Sequence, residues 1–263
     1  MTPKQDQDFP WWLVVLCAIG LMLFYQVWAS EIYSQVMRTL AKGLWITVFV
    51  AVVAYGMACV LGLALALAGM SRFALLRQVS RFYIEVMRGI PIMVLLLYVA
   101  FAAAPGFVVA LNWVITPLGF EPMGTRDFPL LWRAVIALTL AYSAFLAEVF
   151  RAGLQAVDRG QIEAAQALGL TGWQRFRLVV FPQAFRMILP PLGNDFVAMV
   201  KDSSLVSVLG VSDVTQLGKV TAAGNFRYFE TYNIVALIYL TMTIGLSLVL
   251  RRLERRLKAR DER

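Results

Sequence analysis

Six stretches of this 263-residue chain are long and apolar enough to cross about 30 Å of hydrocarbon as helices, near 11–29, 44–70, 90–104, 131–150, 188–211 and 232–250. The apolar residues come in blocks rather than in amphipathic periods, as a bilayer requires. The expected class is therefore an all-α integral membrane protein with about six transmembrane helices. The fifth block contains Asp195, Lys201 and Asp202, and an apolar patch at 107–118 reads as a short re-entrant or surface segment, so the count is open by one. The chain is 60% hydrophobic and 15% charged, against about 25% charged in soluble domains, so water is not its main solvent.

Other classes fall away on composition. There is no histidine, and Cys17 and Cys59 sit far apart inside apolar blocks, which removes the ingredients of a metal site or a disulfide framework and leaves two packing residues. The net charge of +8 is not arranged as a basic stripe interleaved with aromatics, as nucleic-acid binding needs. It follows topology instead. With the spans above, 17 Lys and Arg fall on one side and six on the other, with Lys201 inside a span, so the basic side and both termini are expected to be cytoplasmic.

The first block has about 19 apolar residues, and Lys4 is outweighed by Asp6 and Asp8, so it reads as a retained helix rather than a cleaved signal. Ile32, Tyr33, Val36, Met37 and Leu40 recur at helical spacing, as in a short interfacial helix or the watery end of a span. Trp11, Trp12 and Trp132 near span ends read as an interfacial belt.

The longest connection on the basic side, about 151–187, is not linker-like. Helix formers fill Gln161 to Leu168, Gly169 is placed to stop that helix, and Trp173 to Val180 makes a second short helix before Pro182. Two helices hinged at a glycine form an elbow, a lever through which a soluble motor can push on membrane helices.

Glu163-Ala164-Ala165, three residues, Gly169, nine residues, then Val179-Val180-Phe181-Pro182 resembles the EAA loop of binding-protein-dependent ABC importer permeases, with Val179 and Phe181 in place of Ile and Leu. The resemblance implies a type I importer permease fold, a five-helix core plus an N-terminal helix. It also implies that Glu163, Ala164, Ala165, Gly169 and Pro182 belong to the element that docks on an ATPase subunit. Gly43 to Thr47, Glu85 to Pro91, Ala147 to Gly153, Leu192 to Asp195 and Lys201 to Ser207 resemble the polar amino-acid branch, so that the resemblance runs from about 39 to 250. The expected layout is a tail and extra helix at 1–38, a permease domain at 39–250 and a basic tail at 251–263.

Glu85 with Arg88, and Glu148 with Arg151, are spaced to pair on one helix face, either as anchors of helix ends or as gate pairs. In the fifth span Asn194, Ala198, Lys201 and Leu205 share a face, with Asp195 and Asp202 beside it. Charge at membrane depth faces a cavity or a countercharge. Asn194, Asp195, Lys201 and Asp202 are thus candidates to hold the ammonium and carboxylate of an amino acid, or else a structural network in a permease dimer. Thr139, Tyr142 and Ser143 in the fourth span are candidates to line the same cavity, although hydroxyls also bond across packed membrane helices. No phosphate-binding loop of the G-x-x-x-x-G-K-[ST] type is present, so no hydrolytic role is expected here. ATP and magnesium belong on a partner, and no cofactor is expected on this chain. By the resemblance the partners are two ATPase subunits, a second permease copy or paralogue and an extracytoplasmic binding protein, in a bacterial inner membrane. The competing reading is a self-contained secondary transporter or channel for a small polar solute.

Overall fold

The computed structural model describes residues 11–258, all of whose regular elements are helical. In order they are α1 (Trp11–Ala29), α2 (Glu31–Ala41), α3 (Leu44–Gly69), α4 (Ala74–Gly89), α5 (Ile92–Tyr98), α6 (Ala104–Ile115), α7 (Leu130–Gln155), α8 (Arg159–Ala167), α9 (Gly172–Arg175), α10 (Phe181–Asp202), α11 (Val214–Asn225) and α12 (Tyr228–Lys258). Among the described residues, 31–69, 92–118, 130–155 and 228–255 are long and apolar enough to cross a membrane, and Val14–Ala29 is a shorter apolar helix. Helix α10 has the length, but Pro190, Pro191 and its charged residues dilute its hydropathy. Together these elements match the expected count of about six.

The bundle is organised on α3 against α7. Ala51, Ala54, Ala58, Gly62 and Ala66 form a small-residue seam on α3 facing Ala134, Ala137, Leu138, Ala141 and Ala147 of α7, all buried. Lipid gives helices no hydrophobic reason to associate, so close packing must do it. A Cβ on Gly62 would stand 2.9 Å from the Ser143 carbonyl oxygen. Helices α5, α10 and the turn Ser203–Leu209 complete this core with Leu95, Leu96, Met199, Val200 and Val206. A second cluster gathers Val36 and Leu40 of α2, Val214 of α11 and Ile234, Leu237 and Ile238 of α12.

Two expectations need correction. The apolar patch at 107–118 is not a separate segment: α5 passes through a wide turn at Val99–Ala103 into α6, so that 92–118 makes one continuous apolar stretch long enough to cross a membrane. In that turn the Ala104 N–H bonds to the Val99 carbonyl, five residues back, and Pro105 has no N–H to give. The buried Ala100 carbonyl accepts instead from Arg133 Nη1 at 2.7 Å, and the same guanidinium donates to Phe128 and Thr125. The second correction concerns Pro182, which does not terminate a helix. It lies in an unbroken helical path, in which a wide turn at Phe176–Val180 joins α9 to α10 and accommodates the missing Pro182 N–H. The segments 74–89 and 214–225, for which helices were not foreseen in full, form α4 and α11. Lys4, Asp6 and Asp8 lie outside the described residues.

Candidate functional site

The elbow stands at the end of the bundle reached by the C-termini of α3 and α7. Asp158 caps α8, its carboxylate accepting from Gly160 N at 2.6 Å. Gly169 then ends the helix: it sits at φ +77°, its N–H bonds to Gln166 O at 2.9 Å and the Leu170 N–H reaches Ala165 O at 3.2 Å. That is a Schellman closure, whose left-handed position glycine fills without strain. Thr171 and Gln174 cap α9 reciprocally. Two side-chain bonds brace the lever, from Gln183 to Gln161 at 2.6 Å and from Arg175 to Gln166 at 2.8 Å.

The five residues assigned to this element divide by burial. Ala165 is buried on the inner face of α8 and Pro182 is partly buried, whereas Glu163, Ala164 and Gly169 face outward, alongside exposed Leu168, Trp173 and Leu178. An apolar cleft of about 180 Å³, lined by Leu63, Leu67, Phe150, Leu154, Phe176 and Phe185 among others, lies between the elbow and α3. The lever is thus firmly rooted on one side and presents an unpartnered mixed surface on the other.

A polar cluster lies deeper, where α3, α7 and α10 meet. Tyr142 on α7 is 4% exposed and donates to Asp202 Oδ2 at 2.7 Å. Tyr55 on α3 donates to the Leu192 carbonyl at 2.6 Å and packs against Phe196, ring centroids 4.9 Å apart. Asp195 is close enough to Tyr55, Cys59 and Tyr142 to act on all three electrostatically. Asp195 and Asp202 lie seven residues apart on α10, two turns or about 10 Å along its axis, so they face the same way. Tyr55 was not foreseen as part of this group. The signal was a lone tyrosine in a long apolar span, which sequence alone cannot distinguish from an interfacial residue.

The remaining candidates are not gathered here. Lys201 is exposed and lines an open cleft with Leu16, Leu240, Thr243 and Arg251, while Asn194 is also exposed. Among the described residues Lys201 makes no ion pair with Asp195 or Asp202, because a step of one residue turns a helix by about 100°. Ser143 is fully buried but faces α4, bonding Tyr83 Oη at 2.9 Å and the Leu140 carbonyl at 2.8 Å. Thr139 is consumed by the Val135 carbonyl at 2.8 Å. Glu148 and Arg151 pair as expected, with Gln155 as a further partner of Arg151. Glu85 and Arg88 do not: Arg88 lies over the Phe145 ring, 5.8 Å from its centroid. No cluster of three metal-ligating side chains occurs among the described residues.

The family described as "binding-protein-dependent transport system inner membrane component" matches residues 58–260. Among relatives, a probable amino-acid permease protein, YxeN, of Bacillus subtilis is 37% identical over 83% of this chain and 91% of its own length. The glutamine transport system permease protein GlnP of Escherichia coli is 36% identical over 83% and 93%. Among solved structures, a chain of an amino acid ABC transporter with histidines superposes with a TM-score of 0.70 at 37% identity, over 83% of this chain and 94% of that one. The MetNI methionine ABC transporter gives 0.64 at 21% identity, over 84% and 97%, a likeness of fold.

Proposed function

Because the chain belongs to the family of inner membrane components of binding-protein-dependent transport systems, and is the permease subunit of an amino-acid ABC importer, we propose that it carries a polar amino acid through the Tyr55, Tyr142, Asp195 and Asp202 cluster. One observation supports the cluster: it sets two carboxylates and two phenols together inside an otherwise apolar seam of α3, α7 and α10. Charge so placed needs a reason. The carboxylates complement the ammonium of a free amino acid and the phenols supply further hydrogen-bonding groups, whereas Lys201 and Asn194, on another face of α10, drop out of this set. Ser143, turned toward α4, drops out as well.

The protein is a multi-pass inner membrane protein. We place both termini in the cytoplasm, as the distribution of Lys and Arg requires. On that topology the elbow is cytoplasmic, and its outward residues Glu163, Ala164 and Gly169 dock on one of two ATPase subunits, which hold ATP and magnesium. A second permease subunit brings the second docking loop, and an extracytoplasmic binding protein delivers the solute. Hydrolysis on the ATPase then alternates access to the cluster. A self-contained secondary transporter is set aside, since it leaves the elbow without a role.

The test is solute-stimulated ATP hydrolysis and uptake by the reassembled complex in lipid, comparing the wild type with Gly169→Asp. A Cβ at Gly169 would meet no heavy atom within 4 Å, but the φ of +77° strains any residue other than glycine there, so Ala164→Asp, on the exposed face of α8 at ordinary helical backbone, is run beside it to separate docking from loss of the helix closure. Loss of stimulated hydrolysis with the permease still folded supports the coupling role. Wild-type behaviour overturns it.

A further inference from the structure

We propose that the first turns of α4 form a binding site for anionic phospholipid headgroups, in the leaflet at the elbow end of the bundle. Helix α4 has three distinct flanks. Ser80 and Ile84 are buried, and Ser80 Oγ donates to the Leu65 carbonyl at 2.7 Å, so the start of α4 runs beside the last turns of α3. That depth is the end of a membrane span, where headgroups begin. On a second flank Leu75, Val79 and Phe82, spaced by four and three residues, are 75%, 58% and 72% exposed, with Phe73 65% exposed just before the helix. These are side chains for acyl chains, not for water.

The third flank is cationic. Arg77 and Arg81 lie four residues apart, and Arg72 stands in the turn that precedes them. Arg77 spends one N–H on the Ser71 carbonyl at 3.1 Å and keeps the rest of its guanidinium free to donate. Among the described residues none of the three forms an ion pair, Glu85 one turn beyond Arg81 included. Arg81 stands about 100° around α4 from Phe82, with Gln78 and Glu85 between them, while Arg72 directly precedes Phe73, so basic and apolar side chains share the start of the helix at headgroup depth and together fit one partner, a lipid with acyl chains and a negative phosphate. The inference rests on the membrane placement of α3 and α7 and not on which solute is transported.

The test reconstitutes the complete transporter in phosphatidylcholine vesicles containing a minor fraction of phosphatidylglycerol and counts, by mass spectrometry, the lipid retained after gentle extraction. Wild type should be enriched in phosphatidylglycerol. Combined Arg72→Gln and Arg81→Gln should lower that enrichment by about fivefold per arginine, while Arg72→Lys with Arg81→Lys should retain most of it. Unchanged enrichment in the glutamine variant overturns the proposal. So does crosslinking of Arg81→Cys to an ATPase subunit or a second permease in the assembled complex, which would show a protein on this flank. Because lipid is counted directly, the outcome does not depend on uptake.

Discussion

Arg133 shows how one side chain can hold an irregular element at membrane depth. The wide turn after α5 and Pro105 together leave the Ala100 carbonyl without a backbone donor, and the guanidinium satisfies it along with two carbonyls of the following loop. Buried acceptors left without donors are costly. Arg133→Leu should therefore lower stability by about 3 kcal/mol and expose the 104–129 segment to proteolysis, measured by thermal unfolding and limited digestion in detergent. Asp213 is the corresponding point on α11, fully buried, capping Gln216 N at 2.8 Å and accepting from Tyr239 Oη at 3.1 Å. Burial pushes its carboxyl up from the ordinary carboxylate range, with the Gln216 N–H opposing that shift. A raised carboxyl pKa in the folded state means that stability is lost as pH rises through it. Asp213→Asn keeps the cap and removes the charge, so its melting temperature should fall less over that interval than the wild type's.

At the scale of elements, the spans were legible because length and hydropathy suffice to recognise them. Their joints were not. Each wide turn arises where a proline cannot supply the N–H that an α-helix needs, and whether the chain then stops or merely widens depends on what receives the orphaned carbonyl. At Pro182 the sequence suggested an end, yet the helix continues through it. Close approaches are equally a matter of packing. A Cβ on Gly43 would fall 2.6 Å from Val214 N, against the backbone at the start of α11, which cannot yield as a side-chain tip can. Gly43→Ala should cost about 2 kcal/mol or more and separate α11 from α3, seen as a lower melting temperature. The elbow differs, since Gly169 is needed there for its positive φ and not for space.

In the whole molecule, the elbow and the polar cluster are joined by α10, which leaves the elbow at Phe181 and carries Asp195 and Asp202 toward its far end. A displacement at one end is thereby delivered to the other through a single helix. The two regions should separate in kinetics. Asp202→Asn is expected to raise the half-saturating solute concentration about tenfold, the loss of one charge-assisted contact, while leaving unstimulated ATP hydrolysis unchanged. Gly169→Asp is expected to lower hydrolysis itself. If Asp202→Asn leaves solute dependence untouched, the cluster is only a packing device.

The sequence by itself determined the class, the spans and the elbow, because long apolar runs, caps and a spaced motif are local properties of a chain. Only the tertiary structure decided which polar residues meet. Ser143 turns toward α4 and Lys201 toward α12, whereas Tyr55 arrives from a helix distant in sequence. The reason is rotational: neighbours on one helix point about 100° apart, and the face that becomes interior is set by the helices packed against it.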